Sequence, residues 1–117
     1  MQPTDELVKE LRELLDEVIP EGGTEGDTRF ADLQLGRMLS KANNIYAAAA
    51  EGWTRKAAMC QRELGQIQSY AVGQERYDLA NVKDMLEYAL MMVETFSQMA
   101  ARSMGSTILR FKPPEVI

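Results

Sequence analysis

The chain has 117 residues, enough for one domain with a modest core, and 45% of them are apolar, which favours a folded chain over a disordered one. It contains no histidine and a single cysteine, so histidine-based catalysis, a disulfide within the chain and a zinc site of the usual Cys and His spacing are excluded. The net charge is −5, and residues 1–27 hold nine acidic and two basic side chains, which disfavours DNA binding by this segment.

The sequence predicts a chain with no secretory leader and no membrane segment. Its start, MQPTDELVKELRELL, is acidic, whereas a leader begins basic and then turns apolar. Its densest apolar run, residues 88–93, is far shorter than the roughly 20 residues that a bilayer span requires. We therefore expect a soluble protein that folds in the cytoplasm.

The first predicted element is an acidic helix from Thr4 to Ile19. Apolar residues recur there at helical spacing, Thr4 is suited to cap the start, and Pro20 stops the helix. Three acids of this helix share one face, where solvated carboxylates are a better interpretation than a metal site because no further ligand is implied. These acids are Glu10, Glu13 and Glu17.

Two further helices are predicted after the loop PEGGTEGD. A short one covers about Ala31–Ala42 and is followed by the Asn43-Asn44 pair, which indicates a break and a new cap. A longer one covers about Ile45–Leu64 and carries an apolar stripe. The stripe consists of Tyr46, Ala49, Ala50, Trp53, Ala57, Cys60 and Leu64. Burial as a small apolar residue is the favoured interpretation of the cysteine.

The run YAAAAEGWTRKAAMC at residues 46–60 gives the third helix an unusually smooth surface. Ala48 and Gly52 are four residues apart, a spacing that permits close approach of another backbone. The approaching element is either a helix of the same chain or another copy of the chain. We expect the last helix of the same chain, with Trp53 filling the gap where the close approach ends.

Residues 65–79, GQIQSYAVGQERYDL, interrupt the helical period. The alternation around Gly73-Gln74 fits a two-residue hairpin with glycine first, which would place Tyr70 across from Tyr77. A plain extended loop fits the same residues.

The fourth predicted helix, about Asn81–Arg102, is apolar around most of its circumference, which is typical of a helix buried on most sides. A domain of this size has few helices with which to cover it, so a neighbouring chain is the better explanation of the excess. The sequence thus predicts a subunit interface formed by the third and fourth helices. Its candidate residues are Tyr46, Ala48, Gly52, Trp53, Tyr88, Met91, Met92 and Phe96.

The last residues, 104–117, are predicted to form an extended arm and not a helix. They carry apolar side chains that would be a liability if left exposed, and two prolines stiffen the segment. We expect the arm to bind a partner chain through Ile108, Leu109, Phe111, Pro113, Pro114 and Ile117. The predicted fold is therefore mainly α, with a small bundle of about four helices in residues 1–103 and an arm in 104–117.

Several short motifs, in this order along the chain, resemble a known family. An acidic helix and a Gly/Asp loop precede Asp27-Thr28-Arg29-Phe30, and a short helix leads to IYAAAAEGW at 45–53 with Lys56-Ala57 behind it. VGQERYDL and a last helix complete the order. The pattern, over roughly residues 5–100, resembles the small helical head–tail connector proteins of tailed bacteriophages, also called adaptor or head-completion proteins. One departure is Ala31, where the family pattern has a capping Ser or Thr; here Asp27, Thr28 or Asp32 would have to cap the short helix.

The resemblance implies a structural virion protein and not an enzyme, with no cofactor. Such proteins form a homo-oligomeric ring below the portal of the filled head and continue the DNA channel towards the tail. The implied partners are other copies of the chain, the portal protein and a tail-side neck or tail-completion protein, with DNA passing through without sequence-specific binding. The implied location is the neck of the virion, after assembly in the host cytoplasm. The three acids Glu10, Glu13 and Glu17 would face either the DNA channel or the portal.

A different class of protein also fits part of the sequence. A small helical regulatory or antitoxin-like protein that dimerises and binds another protein explains the acidity, the excess of apolar surface and the missing catalytic groups. It explains the 65–79 segment and the arm less well.

Overall fold

The computed structural model describes the backbone of residues 1–70 and 75–109, and the side chains of 1–66 and 80–103. The described residues form four α-helices: α1 (Asp5–Leu14), α2 (Asp32–Lys41), α3 (Ile45–Tyr70) and α4 (Glu75–Leu109). A short 3₁₀ helix, Glu25–Asp27, lies between α1 and α2, and this part of the chain contains no strand. The predicted helical bundle is confirmed. No helix within the described ranges combines the length and hydropathy of a membrane span.

Helix α1 begins as predicted but ends five residues earlier. The Thr4 hydroxyl accepts a hydrogen bond from the Leu7 amide at 3.2 Å, which confirms the cap. At the other end Asp16 adopts a left-handed backbone with φ of 57°, and the Glu17 amide donates back to the Arg12 carbonyl at 2.9 Å. Together with the bond from the Asp16 amide to the Glu13 carbonyl, this forms a Schellman motif. The Schellman motif therefore ends the helix, and Pro20, the predicted stop, lies outside it.

Helix α2 has the predicted extent, but none of the three predicted residues caps it through its side chain. Ala31 precedes the helix, and its amide donates to Gln34 Oε1 at 2.8 Å. The Asp32 amide donates to Glu25 Oε2 at 2.8 Å, so a carboxylate from the 3₁₀ helix acts as the cap. The start of α3 is capped as predicted, since Asn44 Oδ1 accepts from the Ala47 amide at 2.9 Å.

The predicted hairpin or loop at 65–79 is wrong for the residues that the structure describes. Residues 65–70 continue α3 and residues 75–79 begin α4, while Gly73-Gln74 and the side chains of Tyr70 and Tyr77 lie outside the described residues. Asn81 is consequently an exposed residue inside α4 and not its cap. The packing of α3 against α4, in which Cys60 and Val82 are buried, outweighs the weak alternation on which the hairpin prediction depended.

Helix α4 also runs further than predicted at its other end. Residues 104–109 are helical, so the predicted boundary at 103/104 falls within α4, and the prediction of an extended arm is wrong for these six residues. Residues 110–117 lie outside the described backbone. Residues 104–109 can stay helical because no proline lies between the start of α4 and Pro113, and Gly105 alone weakens a long helix by only about 1 kcal/mol.

Helices α3 and α4 form an antiparallel hairpin with a coiled-coil pattern. Their facing residues alternate at spacings of four and three, which keeps one seam of each helix turned towards the other. The rings of Tyr46 and Phe96 stack with centroids 6.4 Å apart, and those of Trp53 and Tyr88 meet edge to face at 5.4 Å. The α3 seam is Tyr46, Ala50, Trp53, Ala57, Cys60 and Leu64, and the α4 seam is Val82, Leu86, Ala89, Val93, Phe96 and Ala100.

Helices α1 and α2 cover a second flank of α3 and complete the core. Their contribution comes from large side chains that are almost fully buried in one cluster with Ala48, Ala49 and Trp53. These side chains are Leu11, Leu15, Phe30, Leu35, Met38 and Leu39. The small residues of α3 thus face the large residues of the first forty, and both are needed to fill one layer.

Candidate functional site

Two elements share the smooth surface of α3: the end of α1 lies against Gly52, whereas α4 packs, as predicted, along the seam that contains Ala50 and Ala57. A Cβ atom placed on Gly52 would lie 2.5 and 2.6 Å from the two methyl carbons of Leu15, which is fully buried. Helix α4 packs on the neighbouring seam of α3, which contains Trp53, the residue after Gly52. The close approach predicted from Gly52 is correct, but the approaching residue comes from the chain just after α1.

Trp53 anchors the same region through its ring and its nitrogen. Its Nε1 atom donates to the Leu14 carbonyl at 3.0 Å, which satisfies one of the free carbonyls at the end of α1. The Lys56 ammonium lies 4.3 Å from the ring centroid on one side, and Tyr88 meets the ring on another. Trp53 is 3% exposed, so it joins α1, α3 and α4 within one chain.

Arg12 holds the segment between α1 and α2 in place. Its Nη1 atom donates to the Glu17 carbonyl and to Thr28 Oγ1, both at 3.0 Å. Its Nη2 atom donates to the Phe30 carbonyl at 2.9 Å and to Asp32 Oδ1 at 2.7 Å. The Thr28-Arg29-Phe30 motif is therefore fixed by one buried guanidinium. This role of Arg12 was not predicted, although an arginine next to Leu11 on the apolar stripe of an acidic helix was a usable signal.

Glu17 and Lys56 form a buried ion pair, with Lys56 Nζ 2.6 Å from Glu17 Oε2. The other carboxylate oxygen accepts from the Arg29 amide at 2.7 Å, and Lys56 also donates to the Leu15 carbonyl at 2.6 Å. Glu17 is 7% exposed, which corrects its assignment to an open acidic face shared with Glu10 and Glu13. It lies beyond the end of α1, so the helical spacing that grouped the three acids does not apply.

These polar groups form one hydrogen-bonded centre between α1 and α3. Every buried side-chain nitrogen or oxygen within the described ranges has a hydrogen-bond partner. No three acidic or cysteine side chains come together in the described part of the chain to hold a metal ion. Cys60 is buried, as predicted. What the arrangement does is fix the chain between α1 and α2 against α3.

The predicted interface residues separate into two groups. Four of them are buried within the chain, which corrects their assignment to a surface available to another subunit: Ala48, Gly52, Trp53 and Phe96. Tyr46 and Met92 are half-buried, whereas Tyr88 and Met91 are 44% and 55% exposed. Met85 and Leu90 of α4 are also exposed apolar residues, and they were not among the predicted interface residues.

Grooves of two sizes open on the described part of the surface. The larger, of about 690 Å³, is bounded by α1 and by Val18 and Ile19, and Asp5, Glu13 and Asp32 lie along it. The smaller, of about 270 Å³, lies over Trp53, Lys56 and Cys60 beside Met85 and Tyr88 of α4. Glu10 and Glu13 are exposed, as an acidic outer face requires. The arm residues Ile108 and Leu109 have side chains outside the described set, as do Phe111, Pro113, Pro114 and Ile117.

Comparison of the chain with protein-family models, with curated proteins and with solved structures finds no match. A functional assignment consequently depends on the chain's own residues: the hydrogen-bonded polar centre, the acidic face of α1 and the apolar surface of α4.

Proposed function

We propose that the chain is a head–tail connector subunit that forms a ring below the portal of a tailed bacteriophage and continues the DNA channel. The observation that carries the proposal is the apolar surface that α4 leaves exposed after the core is complete. Met85, Tyr88, Leu90 and Met91 are all 43–55% exposed on one helix. Single exposed apolar residues such as Leu90 are ordinary, but Met85, Tyr88 and Met91 recur at three-residue spacing on one side of the helix, which favours a surface that another protein covers.

The polar centre supports the proposal in a second way. The residues of the two motifs that resemble the connector family meet in space: Arg29 and Phe30 bond to Glu17 and Arg12, and Trp53 and Lys56 lie beneath them. The two motifs therefore supply the residues that hold α1, the following loop and α3 together. A subunit braced by such a buried network suits a ring that must keep an open channel.

The charge of the first segment fits a channel or a portal contact. Glu10 and Glu13 are exposed on α1, and residues 1–27 carry a net charge of −7. An acidic lining repels DNA phosphates and would let DNA slide past, whereas an acidic outer face would bind a basic portal surface. Replacing both acids with glutamine should slow DNA passage in the first case and weaken portal binding in the second.

Complementation of head assembly tests the proposed function. Deleting the gene from the phage that encodes the chain should yield filled heads and separate tails that do not join, and adding the purified protein should restore joined particles. Electron microscopy of the restored particles should show extra ring density below the portal. Joined particles in the absence of the protein would overturn the proposal, and a stable dimer that does not bind the portal would favour a regulatory protein instead.

A further inference from the structure

We propose that the groove of about 690 Å³ beside α1 binds the segment Arg110-Phe111-Lys112 of a neighbouring copy of the chain. The inference rests on the proposed ring and names a contact that would link its subunits. Because the segment and the groove are different surfaces, the contact is heterologous, and repeating it by rotation can close a ring.

One wall of this groove is apolar and is not used by the core. Val18 and Ile19 follow the end of α1, and neither belongs to the core cluster of the described residues. Val18 is 59% exposed, and Ile19 is half-buried. The backbone amides of both residues have no hydrogen-bond partner in the described part of the chain. A bound peptide can therefore cover the side chain of Val18 and pair with this backbone, as an added strand does.

The opposite side of the groove carries charges that the fold leaves unpaired. Asp5, Lys9 and Glu13 are exposed at spacings of four along one face of α1, and among the described residues none of the three forms an ion pair. Arg12 and Asp32 also line the groove, but they are bound to each other. The groove thus offers two free acids against one free base within the acidic first quarter of the chain, which favours a basic ligand.

The first residues after α4 have the matching composition. Phe111 stands between two bases, Arg110 and Lys112, and all three residues lie outside the described set. The residue before a proline is biased towards an extended backbone, which favours that form for Lys112 in the bound segment. Neighbouring side chains of an extended peptide point to opposite faces. The aromatic ring can therefore enter the groove while both bases turn towards its acidic rim.

The same segment starts too far from the groove of its own chain. Phe96 stacks on Tyr46 at the start of α3, and the 13 residues from 97 to 109 carry α4 about 20 Å beyond that point. The end of α1 lies in the other direction, since the Leu14 carbonyl meets Trp53 about 10 Å along α3. Three extended residues span at most about 11 Å, so a neighbouring copy is the better recipient.

Photo-cross-linking from the segment tests this contact in the full chain. Phe111→p-benzoylphenylalanine keeps an aromatic group at the position and links it covalently to the residues that it touches. Irradiation at high protein concentration, alone and with portal rings, should give dimers and larger products in denaturing electrophoresis. Peptide mass spectrometry of the dimer band should place the links within residues 5–19 of the second copy.

Charge reversal identifies the groove as the recipient. In the photo-reactive chain, Asp5→Lys with Glu13→Lys should lower the yield of dimers roughly tenfold, because the rim then repels the two bases of the segment. Glu6→Lys with Glu10→Lys is the matched control, since it makes the same change in net charge on the same helix with exposed side chains that do not line the groove. Its yield should stay within about twofold of the yield without reversal.

The reciprocal change separates charge pairing from a loss of folding. Adding Arg110→Glu and Lys112→Glu to the chain with the reversed groove should restore the dimers, because opposite charges then meet again. The proposal is overturned by links within single chains only, by links to other residues or to the portal, or by the lack of dimers under either condition. An equal loss in the matched control, or no recovery in the reciprocal variant, also overturns it.

The joining of heads and tails is a separate readout for the proposed function. Dimers linked through the groove without joining overturn the connector function alone. Joining without such dimers overturns the contact between the segment and the groove alone.

Discussion

The contact between Gly52 and Leu15 explains why the alanine-rich helix contains a glycine in its middle, and it makes a quantitative prediction. Replacing glycine with alanine inside a helix normally stabilises it by about 0.8–1 kcal/mol. At Gly52, however, the new Cβ would lie 2.5 and 2.6 Å from the methyl carbons of a fully buried leucine. Overpacking of this kind costs roughly 1–3 kcal/mol, so Gly52→Ala should be between neutral and about 2 kcal/mol less stable than the unaltered chain.

Gly65→Ala is the matched control because it makes the same substitution in the same helix. A Cβ atom at Gly65 meets no atom within 4 Å, so this variant should gain about 0.5–1 kcal/mol. The difference between the two variants isolates the steric cost and should be about 1–3 kcal/mol. Urea unfolding followed by far-UV circular dichroism measures both free energies of unfolding.

A double-mutant cycle identifies Leu15 as the cause. Leu15→Ala alone should cost about 2–5 kcal/mol, since it removes a fully buried side chain. In the Gly52→Ala background it should cost at least about 1 kcal/mol less, because the same change relieves the overlap. Equal stability of Gly52→Ala and Gly65→Ala, or strict additivity in the cycle, would refute the argument.

Three other predictions concern the polar centre and the end of α1, and the same unfolding measurement tests each of them. Lys56→Met should cost about 3–5 kcal/mol, because it leaves the buried carboxylate of Glu17 unpaired, whereas the exposed pair lost in Arg55→Met should cost less than about 0.5 kcal/mol. Similar losses in the two variants would contradict this. Asp16→Gly should gain about 0.5–1 kcal/mol, since glycine adopts the left-handed backbone without strain, and a loss would show that the Asp16 side chain has another role. Arg12→Lys should cost at least about 2 kcal/mol because a single ammonium cannot replace the forked donors, and a near-neutral result would mean that the network adds little.

The sequence predicted the cap at Thr4, the break and cap at Asn43-Asn44, and the burial of Cys60, because each depends on neighbours close in the chain or on one helical stripe. It was wrong about the lengths of three helices. Alternation near Gly73 suggested a hairpin, but six residues on one side and five on the other are helical, since packing between long helices outweighs a weak local pattern. The connector function and its ring stay predictions.

The chain's own order of residues determined that it forms helices, where their smooth and bulky faces lie, and that its first quarter is acidic. These properties follow from spacing and composition, which act locally. Only the tertiary structure decided which element occupies the smooth face of α3, and that Glu17 and Arg12 are buried while Tyr88 and Met91 are exposed. Such outcomes depend on how residues about 20–40 positions apart compete for the same space and the same hydrogen bonds, as Arg12 with Asp32 and Leu15 with Lys56 show, and no local pattern carries that information.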